Sequence, residues 1–325
     1  LDTQTGKSVE IKVTVASDDK DNNLETLSIQ SEADSYHLSP SGRRAAITAH
    51  GEIFTVATER GELQRVTESF SRETSPQWSP DGKWLAFLSD RSGREEIWIA
   101  DERGKNHKKL TDADVEKGAL TWAPDSKSLL YAASDRKLYR VEIDSGASKV
   151  IATSEAGRIS NPQLSPDGAW ISYTKGDRNM RPHVYVAPAA GGQEVHIGGD
   201  DLFSEGSASW TPDGKKLIFL AGVFQSGMAT QRQNILQLHS LALQKEEKSP
   251  VDRDVDSESE APAAEAPARG RPGGPPGARA EAAKVEVKID WDNFSRRIRQ
   301  LTRLSDGVIT AAPSPDSRTY AFIAI

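Results

Sequence analysis

The chain contains no cysteine in 325 residues. Disulfides, thiolate metal ligation and a cysteine nucleophile are therefore excluded. No charge of one sign dominates: 41 basic and 48 acidic residues leave a net charge of −7, with both signs mixed throughout. A nucleic-acid surface needs a basic stripe, so no nucleic-acid partner is expected. No apolar run approaches the roughly 18–20 residues of a membrane-spanning helix, and no membrane partner is expected. No Gly-x-Ser-x-Gly elbow and no phosphate-cradling glycine loop occurs, which removes the local signatures of two large enzyme classes. Hydrophobic content is a modest 36%, which suits many short strands with one polar face each.

What the chain does have is one short pattern written six times. An apolar or aromatic residue is followed by a turn of the Ser-Pro-Asp-Gly type and then by an alternating apolar run. The turn prolines are Pro40, Pro80, Pro124, Pro166, Pro212 and Pro315, and the first four spacings are 40, 44, 42 and 46 residues. Proline presets the first corner, aspartate bonds back to its own backbone, and glycine accepts positive φ. In the second copy, Ser75–Ser79, Lys83–Ser89, Glu96–Asp101 and Lys108–Thr111 read as four strands. A period near 40 residues that carries strands and no helix implies an all-β fold, a β-propeller of four-stranded antiparallel blades. The blades are expected to start near residues 35, 74, 118, 159, 206 and 308. Ser126 and Ser317 replace the turn glycine in two copies, and a slightly different turn is expected there.

Two stretches depart from the repeat. Residues 1–25 read as the closing hairpin of a preceding propeller plus a linker, with the present propeller over 26–325. Residues 246–283 are acidic at first and then rich in Pro, Gly, Ala and Arg. That composition cannot bury a core, so a disordered insertion within blade five is expected, with the blade resuming at Val285. The chain begins at Leu1 and ends at Ile325 in a strand-like run, and it reads as a piece of a longer protein.

Candidate chemistry is sparse. The histidines His37, His50, His107, His183, His196 and His239 show no His-x-x-x-His spacing. A propeller axis can gather one residue per blade, yet ordinary strand and loop histidines are the expectation, with no metal and no cofactor. Asp81, Asp125, Asp167, Asp213 and Asp316 offer one carboxylate per turn, whereas a calcium loop needs several within about twelve residues. Trp78, Trp122 and Trp210 recur at one blade position and are expected to pack between blades. Arg91 and Arg136 follow an aspartate in two equivalent turns. Local pairing is expected of both, and lining a substrate channel where they meet peptide carboxylates is the alternative.

The pattern over 79–91 resembles the TolB-type propeller repeat. Three further stretches resemble tricorn-type serine proteases: the Leu-Asp-x-x-Thr-Gly-Lys hairpin at Leu1–Lys7, Gly51–Ala57 with Gly61-Glu62, and Val287–Ile298 with its Ile-Asp-Trp core. The resemblance implies the end of a first propeller and most of a seven-bladed second one, truncated. It implies a non-catalytic role in scaffolding assembly and in channelling or filtering peptides or unfolded protein toward a C-terminal serine-peptidase site outside this chain. No residue here inherits a catalytic role. A homo-oligomeric full-length protein and a cytoplasmic location are implied, with a periplasmic or exported form as the alternative. Two other readings stay open: a TolB-like protein-binding module, and the propeller of a prolyl-oligopeptidase or amidohydrolase relative.

Overall fold

The computed structural model describes residues 33–198, 203–223, 236–245, 285–304 and 307–325. The hairpin expected over 1–25 and the insertion expected over 246–283 lie outside the described residues. Blade one comprises β1 to β4 (Ala33–Leu38, Arg44–Ala49, Glu52–Ala57, Gln64–Arg65). Blade two comprises β5 to β8 (Glu73–Trp78, Trp84–Ser89, Glu96–Asp101, Lys108–Lys109). Blade three comprises β9 to β12 (Lys117–Trp122, Ser128–Ala133, Lys137–Glu142, Ser148–Thr153). Blade four comprises β13 to β16 (Ala156–Leu164, Trp170–Gly176, Pro182–Pro188, Val195–His196). Blade five comprises β17 to β20 (Phe203–Trp210, Lys216–Val223, Gln237–Ala242, Ile298–Gln300). A sixth sheet holds β21 and β22 (Val308–Pro313, Tyr320–Ala324). Every sheet runs in sequence order, and every pairing is antiparallel. The fold is an all-β propeller.

The turn after the first strand has one construction in four of the six sheets. Ser79 Oγ donates to Asp81 Oδ1 at 2.6 Å and accepts from the backbone N–H of Trp84 at 3.0 Å. Asp81 Oδ1 also accepts from Lys83 N at 3.1 Å, and Gly82 N donates to Ser79 O at 2.9 Å. Ser165 with Asp167, Thr211 with Asp213, and Ser314 with Asp316 repeat it. These aspartates thus serve their own turns.

The two serine-for-glycine copies correct an expectation. Ser126 and Ser317 adopt φ of 59° and 60°, close to the 72° of Gly82 and 68° of Gly214. The turn is therefore the same left-handed turn. The compensation comes from outside it: Ser126 Oγ accepts from Asp81 N at 3.0 Å, and Ser317 Oγ accepts from Asp213 N at 3.0 Å. Each serine ties its turn to that of the preceding blade, offsetting a left-handed strain of order 1 kcal/mol.

The core lies in the seams between blades. On β6, Leu85 and Phe87 pack with Ala46, Ile53 and Val66 of blade one, while Ala86 and Leu88 pack with Leu120, Leu129 and Tyr131 of blade three. On β18, Leu217 and Phe219 face blade four, and Ile218 and Leu220 meet Val308 of the sixth sheet. Side chains alternate across a strand, so an inner strand that buries both faces reads as a continuous apolar run. Trp78, Trp122 and Trp210 are 4%, 7% and 6% exposed and sit in these seams. Trp122 Nε1 donates to Gln77 O of the previous blade at 2.9 Å, and Trp210 Nε1 donates to Gln163 O at 3.3 Å.

Blade five is completed differently from the reading that restarts its ladder at Val285. Residues 285–291 form an extended strap without ladder pairing, and the fourth strand is the three-residue β20. The strap bonds across the seam instead. Val287 N donates to Asp167 Oδ2 at 2.7 Å, Trp170 Nε1 donates to Val287 O at 3.3 Å, and Asp290 N donates to Leu243 O at 2.8 Å. Val287 is buried beside Gly214, where any Cβ would strike the strap's valines. Trp291 then packs edge-on to Trp170 and to Phe294.

Candidate functional site

The first strands of consecutive blades, β1, β5, β9, β13, β17 and β21, are neighbours in that order. They form the inner wall of the ring, as the fourth strands form its outer edge. Those of the first four blades bound a cavity of about 420 Å³, lined by His37, Gln77, Thr121 and Gln163 together with Trp78 and Trp122. The polar lining is cross-linked. Trp78 N donates to His37 Nδ1 at 3.1 Å, and Thr121 Oγ1 donates to Pro162 O at 2.8 Å. Burial pushes the His37 imidazole below its ordinary pKa, in keeping with a neutral ring whose Nδ1 accepts.

The arginines singled out in the sequence do not come together. Arg91 Nη2 pairs with Glu73 Oε1 at 3.0 Å, its Nε donates to Ser89 Oγ at 3.0 Å, and its guanidinium lies over the Trp98 ring at 4.9 Å. Arg136 is exposed on the turn between β10 and β11 and donates to Glu155 O at 2.8 Å. Neither arginine pairs with the aspartate beside it: Arg91 takes Glu73, and Arg136 takes a backbone carbonyl. Asp90 Oδ1 is occupied by Arg72 N at 2.8 Å, and Asp135 by Lys137 and the Tyr139 hydroxyl.

Glu73 marks the end of the ring where the first strands begin, and buried charge recurs there. Glu73, Lys117 and Glu205 stand at one position of three first strands, opposite Ser89, Ala133 and Ala221. Their side chains are all within the 0% exposure class. Lys117 Nζ pairs with Glu96 Oε2 of blade two at 2.8 Å. At the other side of the seam, a threonine follows the fourth strand in blades one, two and five, while blade three carries Ala152 there. Thr67, Thr111 and Thr302 each accept, through Oγ1, the N–H of the residue that opens the apolar stretch of the third strand, at 2.8, 2.9 and 2.9 Å. Thr111 and Thr302 also donate to Glu96 and Gln237, the residues just before.

Blade four breaks this rule. The threonine position is Gly198, and the residue before Val184 is His183. A Cβ at Gly198 would fall on the Glu205 carboxylate, which reaches in from blade five. Glu205 Oε2 takes over the threonine's task by accepting Val184 N at 3.0 Å. His196 Nε2 lies 3.0 Å from both Glu205 oxygens. His183 Nδ1 is 3.8 Å from Glu205 Oε1, and its Nε2 is 3.6 Å from Asp177 Oδ2. The His183 side chain is 2% exposed, and neither ring nitrogen has a hydrogen-bond partner among the described residues. One donor atom from each of His183, His196 and Glu205 lies within 4.8 Å of the others, so these are the residues placed to hold a cation. Spacing along the chain hid this pair of histidines. The hairpin register sets His196 opposite Tyr185, and His183 is two residues along on the same face, a diagonal neighbour. The usable signal is glycine after Ile197, where blades one, two and five keep threonine.

Residues 33–302 match the family model described as the tricorn protease second beta propeller domain. Among curated proteins, the chain is similar to an uncharacterized peptidase, YuxL of Bacillus subtilis, at 28% identity over 179 residues, covering 41% of this chain and 27% of the relative. The crystal structure of the tricorn protease superposes with a TM-score of 0.62 at 15% identity, over 87% of this chain and 26% of that one. A putative TolB from Agrobacterium tumefaciens superposes with a TM-score of 0.51 at 21% identity, over 65% and 76%. The chain spans about a quarter to a half of the length of the first curated relatives it matches. With the family's propeller model running over its first five blades, the chain belongs to the tricorn protease second β-propeller family.

Proposed function

We propose that this propeller is a non-catalytic module of a tricorn-type serine peptidase, which scaffolds the assembly and admits unfolded peptides toward an active site carried elsewhere in the parent protein. The observation that carries the reading is the inner wall. Polar side chains of four successive first strands, His37, Gln77, Thr121 and Gln163, line one cavity. The groups there hydrogen-bond to neighbouring backbone and serve packing rather than a reacting centre. Such a wall suits passage of an extended chain, whose own backbone can exchange weak polar contacts along it. Arg136 is the arginine left to meet peptide carboxylates, because Arg91 is committed to Glu73.

The test is made in the parent protein. Thr121→Trp and Gln163→Trp narrow the opening from two adjacent blades. Turnover of a long unfolded polypeptide is expected to fall several-fold, while a dipeptide reporter is cleaved at the wild-type rate. Equal loss on both substrates, or no loss on either, would overturn the channel role. Finding a parent protein with no peptidase domain would instead favour a TolB-like binding module.

A further inference from the structure

We infer that His183, His196 and Glu205 form a binding site for a divalent transition-metal ion, zinc foremost, that bridges blades four and five. Blade four departs from a construction that blades one, two and five share. Where three other seams fill the space with a threonine hydroxyl, this one removes the side chain at Gly198 and sends in a carboxylate from the next blade. The same blade puts a histidine where the others carry Glu52, Glu96, Lys137 or Gln237. A buried polar group without a partner costs about 1–3 kcal/mol. His183, 2% exposed and with both nitrogens lacking a hydrogen-bond partner among the described residues, is such a group.

The donor geometry fits a small borderline cation. Zinc bonds to nitrogen and carboxylate oxygen at about 2.0–2.2 Å, which places donors of a tetrahedron roughly 3.3 Å apart. Here His196 Nε2 and Glu205 Oε1 are 3.0 Å apart, and His183 Nδ1 and Glu205 Oε1 are 3.8 Å apart. Glu205 would bind through Oε1 alone, because Oε2 is held by Val184 N. His183 would bind through Nδ1, leaving Nε2–H directed at Asp177 Oδ2, 3.6 Å away. A carboxylate behind a ligating imidazole fixes its tautomer and raises its basicity. Two neighbouring cations are engaged elsewhere, Lys175 by Glu194 and Arg181 by Asp177. His196 is 23% exposed, which leaves the entry path and the fourth position to solvent. Two histidines, one glutamate and one open position is a donor set zinc accepts.

The whole chain, freed of metal with a chelator, is loaded with zinc and passed through gel filtration before its metal content is measured. One zinc per chain is expected, retained by wild type and lost by His183→Gln and His196→Gln. Asp177→Asn, which touches no ion, is expected to weaken binding about 10–100-fold. Zinc is expected to raise the melting temperature of wild type and leave both glutamine variants unmoved. Cobalt, loaded into wild type, is expected to give the intense visible bands of four-coordination. This last readout decides the matter even if a variant fails to fold. Wild type that retains no zinc, variants that retain as much as wild type, or a weak six-coordinate cobalt spectrum would each overturn the site.

Discussion

Replacing Lys117 by methionine is expected to cost about 3–5 kcal/mol of stability, the usual loss when one member of a buried ion pair is removed. Lys117 and Glu96 are 0% and 1% exposed, and their charged atoms are 2.8 Å apart. The lysine also donates to Glu95 O at 2.8 Å and to Ala113 O at 2.6 Å. Glu96 accepts from Thr111 Oγ1 at 2.6 Å and from Ala113 N at 3.1 Å. Methionine keeps most of the stem and deletes the charge, so the loss is that of a carboxylate left buried beside two orphaned carbonyls. Against a total stability of about 5–15 kcal/mol for a folded domain, that is a large share. Adding Glu96→Gln removes the stranded charge, and the amide oxygen keeps one of the two donors, Thr111 Oγ1 or Ala113 N, as a partner. The double variant is therefore expected to be more stable than Lys117→Met alone, with a coupling of about 2–3 kcal/mol. Urea unfolding followed by tryptophan fluorescence measures both, provided the slope with denaturant stays constant. A single variant within about 1 kcal/mol of wild type, or strict additivity of the pair, would refute the account of this seam.

Two further outcomes follow from the turns. Ser126→Ala keeps the left-handed strain and loses the acceptor for Asp81 N, and is expected to cost about 1–2 kcal/mol. Ser126→Gly loses the bond but relieves the strain, and is expected to lie within about 0.5 kcal/mol of wild type; thermal unfolding of the two separates them. At Asp167, burial pushes the carboxyl pKa up, but hydrogen bonds from Ser165 Oγ and from the N–H groups of Val287 and Ala169 bring it below its ordinary 3.8. A depressed carboxyl pKa stabilises the fold above the unfolded value, and that contribution is lost as pH falls through the folded one. The midpoint of unfolding is thus expected to drop below about pH 4 in wild type, and to drop less steeply in Asp167→Asn. Identical acid limbs in the two proteins would remove Asp167 from the explanation.

The ring was readable because its punctuation is local chemistry. Pro80, Asp81 and Gly82 state a turn whatever surrounds them, and Leu85 to Leu88 state a strand buried on both faces. What escaped the reading depends on partners far along the chain. The turn at Ser126 keeps its left-handed form through an acceptor role toward Asp81, 45 residues earlier. Val285 to Asp290 alternate as a strand does, yet they spend their hydrogen bonds on Asp167, Trp170 and Leu243. Arg91 chose the buried Glu73 over the aspartate beside it, because Asp90 was already taken. His183 and His196 are thirteen residues apart and meet through hairpin register, which spacing rules written for helices do not detect.

The strap over 285–291 gives blade five an unusual independence from its own covalent path. Its third strand, Gln237–Ala242, and its fourth, Ile298–Gln300, are paired directly. The strap separately ties the later portion of the chain to Asp167 and Leu243. A peptide-bond cut anywhere between residues 245 and 285 would therefore leave two pieces that already share a ladder, a tryptophan contact and a buried valine. The blade behaves as a clasp closed between two chains, and continuity through the intervening residues is a convenience of synthesis rather than a condition of the fold.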